Sequence, residues 1–266
     1  MKQLGLRAYV IRRVIYTLVL IVLVVTVNFV IFRLVPADPL AIMLSSSKLT
    51  PEQIQLLKKR FHIGEPLFVQ YVYYITNLVQ GEFGYSYRTQ QPIAQEISRV
   101  LPNTLLLLGT SFAVSVVLGM ILGIVAATRR GKGTDITIMF LGMTFYALPT
   151  FWIGLVLLLL LGYFAPIFPL RGTLSVPPPV DLLGMIADVL WHLTLPALTL
   201  VLYSFAQYAV IMRNSLLNVL TEDYIVMARA KGFTENAVIL KHALKNAMLP
   251  MVTIIATGFG TIFSLL

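Results

Sequence analysis

EDYIVMARAKGFTENAVILKHALKNAMLP, running from Glu222 to Pro250, is a polar stretch set between two apolar runs of membrane length. A connection between membrane spans needs only a few residues. This one is longer and carries its own start and stop signals. Thr221 suits a helix N-cap, with Glu222 and Asp223 in the first turn. Arg229 and Lys231 fall in the last turn, where cations suit the helix dipole. Gly232 stands where a left-handed terminating residue belongs, and Thr234 and Glu235 restart a helix. The pattern predicts a short helix, a sharp glycine corner and a second helix, a loop built to touch something.

The surrounding chain sets the physical class. It has 266 residues, of which 58% are hydrophobic and 12% charged, and its mean hydropathy is +0.86. Soluble chains are about 25% charged, and no single soluble core could hide this much apolar surface. The chain is therefore an integral membrane protein. Its net charge of +9 does not indicate nucleic acid, because the basic residues cluster beside apolar runs. The absence of cysteine excludes a disulfide framework, a thiolate nucleophile and a Cys metal site. Lys2, Arg7, Arg12 and Arg13 precede an apolar run from Val14 to Leu34. A cleaved signal has an apolar core of only about 7–15 residues, so this run is read as a retained span.

A helical span needs about 20 apolar residues. Five such runs are present, over about 12–35, 102–128, 135–163, 190–212 and 246–266. Pro149 and Pro196 lie inside the third and fourth and predict kinks there. A cytoplasmic N-terminus places Lys2, Arg7, Arg12, Arg13, Arg129, Arg130, Lys132, Arg213, Arg229, Lys231, Lys241 and Lys245 inside. The short outer segment, about 164–189, then carries only Arg171. The outer segment of about 36–101 is long enough to cross regardless of its basic residues. The same orientation puts the loop of about 213–246 in the cytoplasm, where ATP is.

The long outer segment carries helix signals. Thr50-Pro51-Glu52-Gln53 reads as a capping box with proline at the first helical position. Ile54, Leu57 and Phe61 then recur at helical spacing. Gly64 stops that helix, Pro66 opens another through about Gln80, and Gly81 and Gly84 make a turn. The segment could be a docking platform for another protein or a small helical cap on the outer membrane face. Lys58, Lys59 and Arg60 read as a solvated face.

The polar loop resembles that of ATP-binding-cassette permeases, in the branch importing dipeptides, oligopeptides and related solutes. The general signature there is Glu-Ala-Ala, three residues, Gly, nine residues, Ile-x-Leu-Pro. Gly232 anchors the match. The Glu-Ala-Ala places hold Val226, Met227 and Ala228, and the Leu-Pro pair reads Leu244-Lys245, with Pro250 later. The forms ARAKG and HALKNA-x-LP are those of the peptide branch. The resemblance continues through Leu34-Val35-Pro36-Ala37-Asp38-Pro39, Gly81-Glu82-Phe83-Gly84-Tyr85-Ser86, Leu101-Pro102-Asn103-Thr104-Leu105 and Leu148-Pro149-Thr150-Phe151-Trp152-Ile153-Gly154. Each motif alone is weak, but their order and spacing over the chain are specific.

The resemblance implies an all-α, polytopic fold like the transmembrane domain of a type I ABC importer, with residues 1–266 as one permease domain. Such domains usually have six spans, so the family would continue past Leu266 with an outer segment and a sixth span, and the chain reads as C-terminally truncated. The implied partners are a paralogous permease subunit, two cytoplasmic ATPase subunits, an extracytoplasmic solute-binding protein and the lipid bilayer, without nucleic acid. No cofactor is expected on this chain, with ATP and Mg held by the ATPases. The resemblance makes the loop a coupling element carried by Glu222, Asp223, Tyr224, Ala228, Arg229, Ala230, Lys231, Gly232, Phe233 and Glu235. It implies the cytoplasmic membrane of a bacterium or archaeon. Peptides lead as solutes, with nickel chelates and oligosaccharides as alternatives.

The chain's own chemistry agrees with a transport role. Gly131-Lys132-Gly133 lacks the upstream glycine and following Ser/Thr of a phosphate-binding loop, so no ATP hydrolysis is expected here. His62, His192 and His242 fall in different segments without the spacing of a helical metal site. His192 and Asp188 read as a pair at the start of the fourth span, with a proton or ligand site as the alternative. His242 reads as structural or as part of the ATPase interface. Ser111, Ser115, Gly119 and Gly123 form a small-residue stripe that admits a close helix of unspecified identity. Tyr203, Gln207 and Asn214 could line a pathway or make interhelical hydrogen bonds. Two rivals remain: an ion-gradient-driven secondary transporter, disfavoured by spans almost free of ionisable groups, and a truncated, non-transporting membrane subunit.

Overall fold

The computed structural model describes residues 6–34, 55, 64–86, 89 and 91–264. The capping box at Thr50–Gln53, the periodic Ile54, Leu57 and Phe61, the charge run Lys58–Arg60, His62 and the turn after Leu34 lie outside those residues. The chain divides into two compact units, Met1–Val100 and Leu101–Leu266.

In the first unit, α1 covers Leu6–Leu34 and contains the apolar run that begins at Val14. Gly64 has a positive φ and Pro66 precedes α2, Leu67–Val79, as the sequence predicts. The Thr26 hydroxyl shares a 2.7 Å hydrogen bond with the Tyr71 hydroxyl. The Phe29 ring packs against Tyr71 and Tyr74 at 5.2 and 5.7 Å. Gly81 and Gly84 make the predicted turn, both at φ 80°. A single isolated bridge between Tyr85 and Pro92 follows.

Five helices carry the second unit's spans. α3, Ile93–Thr128, opens well before Pro102, which sits inside it. The apolar run marks only the membrane-length part of a longer helix. α4, Gly133–Ala147, and α5, Thr150–Leu157, continued by a π-helical turn over Leu158–Phe164, were expected as one kinked span. They are instead two segments bent by 105°. Proline pushes its predecessor out of the helical region, and Leu148 is extended, with ψ 141°. Pro196 does not act this way: α6 runs unbroken through it, from Leu182 to Val219. The Asp181 carboxylate caps α6 by accepting the Gly184 N–H at 2.7 Å. α7 covers Asp223–Ala230 and α8 Glu235–Ala237. A π-helical turn, Val238–Ala243, leads into α9, Leu244–Ser264. Among the described residues, four helices are long and apolar enough to cross a membrane, or five with the bent pair as one span.

The small-residue stripe meets α6. A Cβ on Gly119 would stand 2.5 Å from the Tyr208 Cβ, and one on Gly123 2.6 Å from the Ala209 carbonyl oxygen. The Ser115 and Ser204 hydroxyls share a 2.7 Å hydrogen bond across the same seam. Lined only by serine and glycine, the α3 stripe lets two backbones approach closely enough for dispersion to hold them where lipid removes any hydrophobic drive.

Candidate functional site

The polar loop is built as a helix ending in a glycine corner. At the end of α7, Lys231 is the last residue near helical geometry, with φ −75° and ψ 0°. Gly232 follows at φ +85°. Its N–H donates to the Arg229 carbonyl at 2.9 Å and the Phe233 N–H to the Ala228 carbonyl at 3.4 Å. These two bonds make a Schellman motif. A left-handed residue with a Cβ costs roughly 1–2 kcal/mol, which is why glycine suits this corner. The start of α7 corrects the expected cap. Glu222 holds the N-cap position without a side-chain bond, and the Thr221 hydroxyl donates back to the Asn218 carbonyl at 2.7 Å. Thr221 closes the last turn of α6 instead.

The loop is seated on the spans by its apolar side. Ile225 is fully buried and Ala228 nearly so. They pack with Met212 and Leu216 of α6, Val238, Ile239 and Ala243 of the π-helical turn, and Ala247 and Met251 of α9. Ala228, expected among the contact residues, therefore faces inward. Val226 and Met227 point away from this core, and Glu222, Asp223, Tyr224, Arg229, Ala230, Lys231 and Phe233 are exposed around it. Val226 and Met227 were missed by the sequence reading. Their signal was present, because the buried Ile225 and Ala228 are three apart and so share one helix face, which leaves the intervening pair elsewhere.

Polar bonds fix the corner from both sides. Arg229 grips Glu235 with Nε at 3.1 Å and Nη2 at 2.7 Å. That hydrogen-bonded carboxylate pushes the Arg229 guanidinium above its ordinary pKa. Both side chains are largely exposed, so the pair contributes at most about 1 kcal/mol. Asn246 of α9 donates to the Tyr224 hydroxyl at 2.7 Å, and the Ser215 hydroxyl donates to the Ala247 carbonyl at 2.8 Å. The His242 ring lies 5.1 Å from that of Phe233, so the residue is part of the loop's packing. Its Nε2 is buried without a hydrogen-bond partner among the described residues.

A second contact that the sequence did not single out lies at the end of α6. Arg213 binds Asp135 through Nε at 2.6 Å and Nη2 at 2.7 Å. The Gly131 N–H adds a 2.9 Å bond to the same carboxylate. The arrangement ties the start of α4 to the segment that leads into the loop.

The three candidate pathway residues share one face of α6. The Tyr203 ring stacks on Tyr146 at 5.5 Å. Gln207 and Asn214 are exposed, and Asn214 accepts from Arg213 at 3.3 Å. Asp188 and His192 depart from the expected helix-end pair. Because α6 starts at Leu182, they lie inside it and are buried, with Nδ1 3.5 Å from the carboxylate. Asp188 accepts the Ser175 N–H at 2.7 Å and its hydroxyl at 2.6 Å. The pair anchors the segment before α6.

Comparison with known proteins agrees with this architecture. Residues 119–266 match the family described as binding-protein-dependent transport system inner membrane component, and residues 6–108 match the family described as the N-terminal part of the membrane component of such systems. The oligopeptide transport system permease protein AppB of Bacillus subtilis is 35% identical over 93% of this chain and 77% of its own length. The dipeptide transport system permease protein DppB of Escherichia coli K12 is 31% identical over 96% and 80%. The glutathione transport system permease protein GsiC of Salmonella typhimurium is 35% identical over 95% and 78%.

Proposed function

The chain belongs to the binding-protein-dependent transport system inner membrane component family, and on that premise we propose that it forms half of a translocation path for peptides or related small solutes. It is a multi-pass permease subunit of an ABC importer in the inner membrane. In the proposed assembly it pairs with a paralogous permease, receives solute from an extracytoplasmic binding protein and rests on two cytoplasmic ATPase subunits. The ATPases hold ATP and Mg, and this chain performs no chemistry of its own. Its N-terminus is cytoplasmic, in a bacterial or archaeal cell. The relatives named for oligopeptide, dipeptide and glutathione transport support the solute class. A binding-protein-dependent family does not favour the ion-gradient alternative.

The observation that carries the coupling role is the two-sidedness of α7. Ile225 and Ala228 are locked into the core shared with α6 and α9, while Val226 and Met227 stand outward. A force applied to the outward side is thereby delivered to the spans. Closure of the ATPase pair on ATP would draw two such loops together and rock the spans between inward-open and outward-open states. ATP can drive that change only by binding the closed pair more tightly than the open one. Co-purification with the ATPase subunits tests the role, comparing the full chain with one lacking residues 222–233. Both should insert. Loss of the ATPases with the deletion alone supports docking through the loop, and equal recovery refutes it.

A further inference from the structure

We propose that one face of α1, formed by Tyr9, Arg12, Arg13 and Tyr16, binds the phosphate of an anionic glycerophospholipid. These four side chains, with Thr17 and Leu20, lie along one open face of the helix. Arg12 Nε donates to the Tyr16 hydroxyl at 2.8 Å, and Arg13 Nη1 donates to the Tyr9 hydroxyl at 2.8 Å. The Arg12 guanidinium also lies 5.3 Å from the centre of the Tyr16 ring. Each guanidinium is thus held in place by a neutral phenol that occupies one of its five N–H donors. The remaining donors keep the planar fork that matches a phosphate. Among the described residues no carboxylate pairs with either arginine. Each phenol, acting as acceptor, still has its own proton to donate.

The position along the helix selects the source of the phosphate. α1 begins at Leu6, so this is a side-chain face within the helix and not a helix end. Below the charged groups the same helix continues with exposed Leu20, Leu23 and Val24, an apolar track suited to an acyl chain. Tyr16, placed between Arg12 and Arg13 and the apolar run, follows the pattern of a membrane interface. A soluble phosphate would gain nothing from Leu20. Two cations without a counter-carboxylate favour a headgroup with net negative charge over a zwitterionic one. The cytoplasmic N-terminus proposed above would put the site in the inner leaflet, but binding itself does not rest on that reading or on transport.

The test uses the full chain in nanodiscs of phosphatidylcholine doped with photoreactive phosphatidylglycerol, with labelled peptides mapped by mass spectrometry. Cross-linking to α1 should fall roughly fivefold in Arg12→Gln and in Arg13→Gln, the scale of one basic group at a membrane surface. Arg7→Gln, which removes the same charge elsewhere on the helix, should leave it nearly unchanged. The Arg12→Lys/Arg13→Lys variant retains the charge that orients the span but loses the fork, and should be intermediate. Tyr9→Phe/Tyr16→Phe frees both guanidiniums and should also lower labelling. Equal loss in Arg7→Gln would reduce the effect to bulk charge and overturn the site. Equal labelling by photoreactive phosphatidylcholine would overturn its anionic selectivity. Displacement of the lipid by inorganic phosphate at low millimolar concentration would reassign the face to a soluble ligand and overturn the lipid assignment.

Discussion

Arg213 holds Asp135 through two parallel N–H···O bonds of 2.6 and 2.7 Å, clasping the first turn of α4 to the end of α6 just before the loop. The Asp135 side chain is almost fully buried and that of Arg213 is about one-fifth exposed. Breaking such a pair leaves an uncompensated charge, at a cost of about 3–5 kcal/mol. Arg213→Ala should therefore lower the midpoint of thermal unfolding in nanodiscs well below wild type. Asp135→Asn/Arg213→Gln should recover more than half of the loss, because neither charge is then stranded. Equal losses in the single and double variants would refute this account of the pair.

The α3–α6 seam predicts a steric series. Gly119→Ala places a methyl group 2.5 Å from the Tyr208 Cβ and 2.6 Å from the Phe205 carbonyl oxygen. Both obstacles are at or next to the backbone, so the helices must separate. Overpacking of this kind costs about 1–3 kcal/mol, and Gly119→Ala and Gly123→Ala should both destabilise the purified protein. Gly109→Ala, with nothing within 4 Å of the added methyl, should be neutral or mildly stabilising. Ser115→Ala removes one interhelical hydrogen bond, worth about 0.6 kcal/mol in a membrane, and should have the smallest cost at the seam.

Gly232 separates loop geometry from insertion. Gly232→Val faces open space, so its penalty comes from the backbone at φ +85°. Asparagine tolerates that region better than a β-branched residue. Transport by the reconstituted importer should fall in the order glycine, asparagine, valine, while membrane insertion stays unchanged. Wild-type transport in Gly232→Val would show that the corner does not matter to coupling.

The sequence disclosed the spans because about 20 apolar residues in a row have few other uses. It disclosed the corner because a glycine after Arg229 and Lys231 is a local signal with a local cause. It could not place the start of α3 at Ile93, because the polar turns before Pro102 carry no membrane signature, and it set the start of α6 too late by beginning the span after Asp188 rather than at Leu182. Nor did it distinguish Pro149, which breaks its helix, from Pro196, which does not. The proline constraint is the same at both. Asp135 and Arg213 lie 78 residues apart, and nothing local to either one names the other. The inward turn of Ala228 was legible in its spacing from Ile225 but masked by the apolar Val226 and Met227 between them.

Orientation yields a direct prediction. The chain has no cysteine, so single cysteines can be read without background. Val176, 97% exposed in the segment before α6, should react as Val176→Cys with an impermeant thiol reagent added to intact cells. Lys132→Cys, exposed in the turn before α4, should react only after the cells are opened. The reverse pattern would invert the proposed topology.

The central claim is that the outward side of α7 meets the ATPase while its inward side grips the spans. It is tested most directly by thiol cross-linking from α7 in the assembled importer. Met227, 59% exposed, and Ile225, at 0%, lie on opposite sides of the same short helix. Val226→Cys and Met227→Cys should cross-link to the ATPase subunit, with a yield that changes when ATP is added. Ile225→Cys and Ala228→Cys should not. Cross-linking from the buried pair alone, or from none of the four in a complex that still transports, would contradict the account.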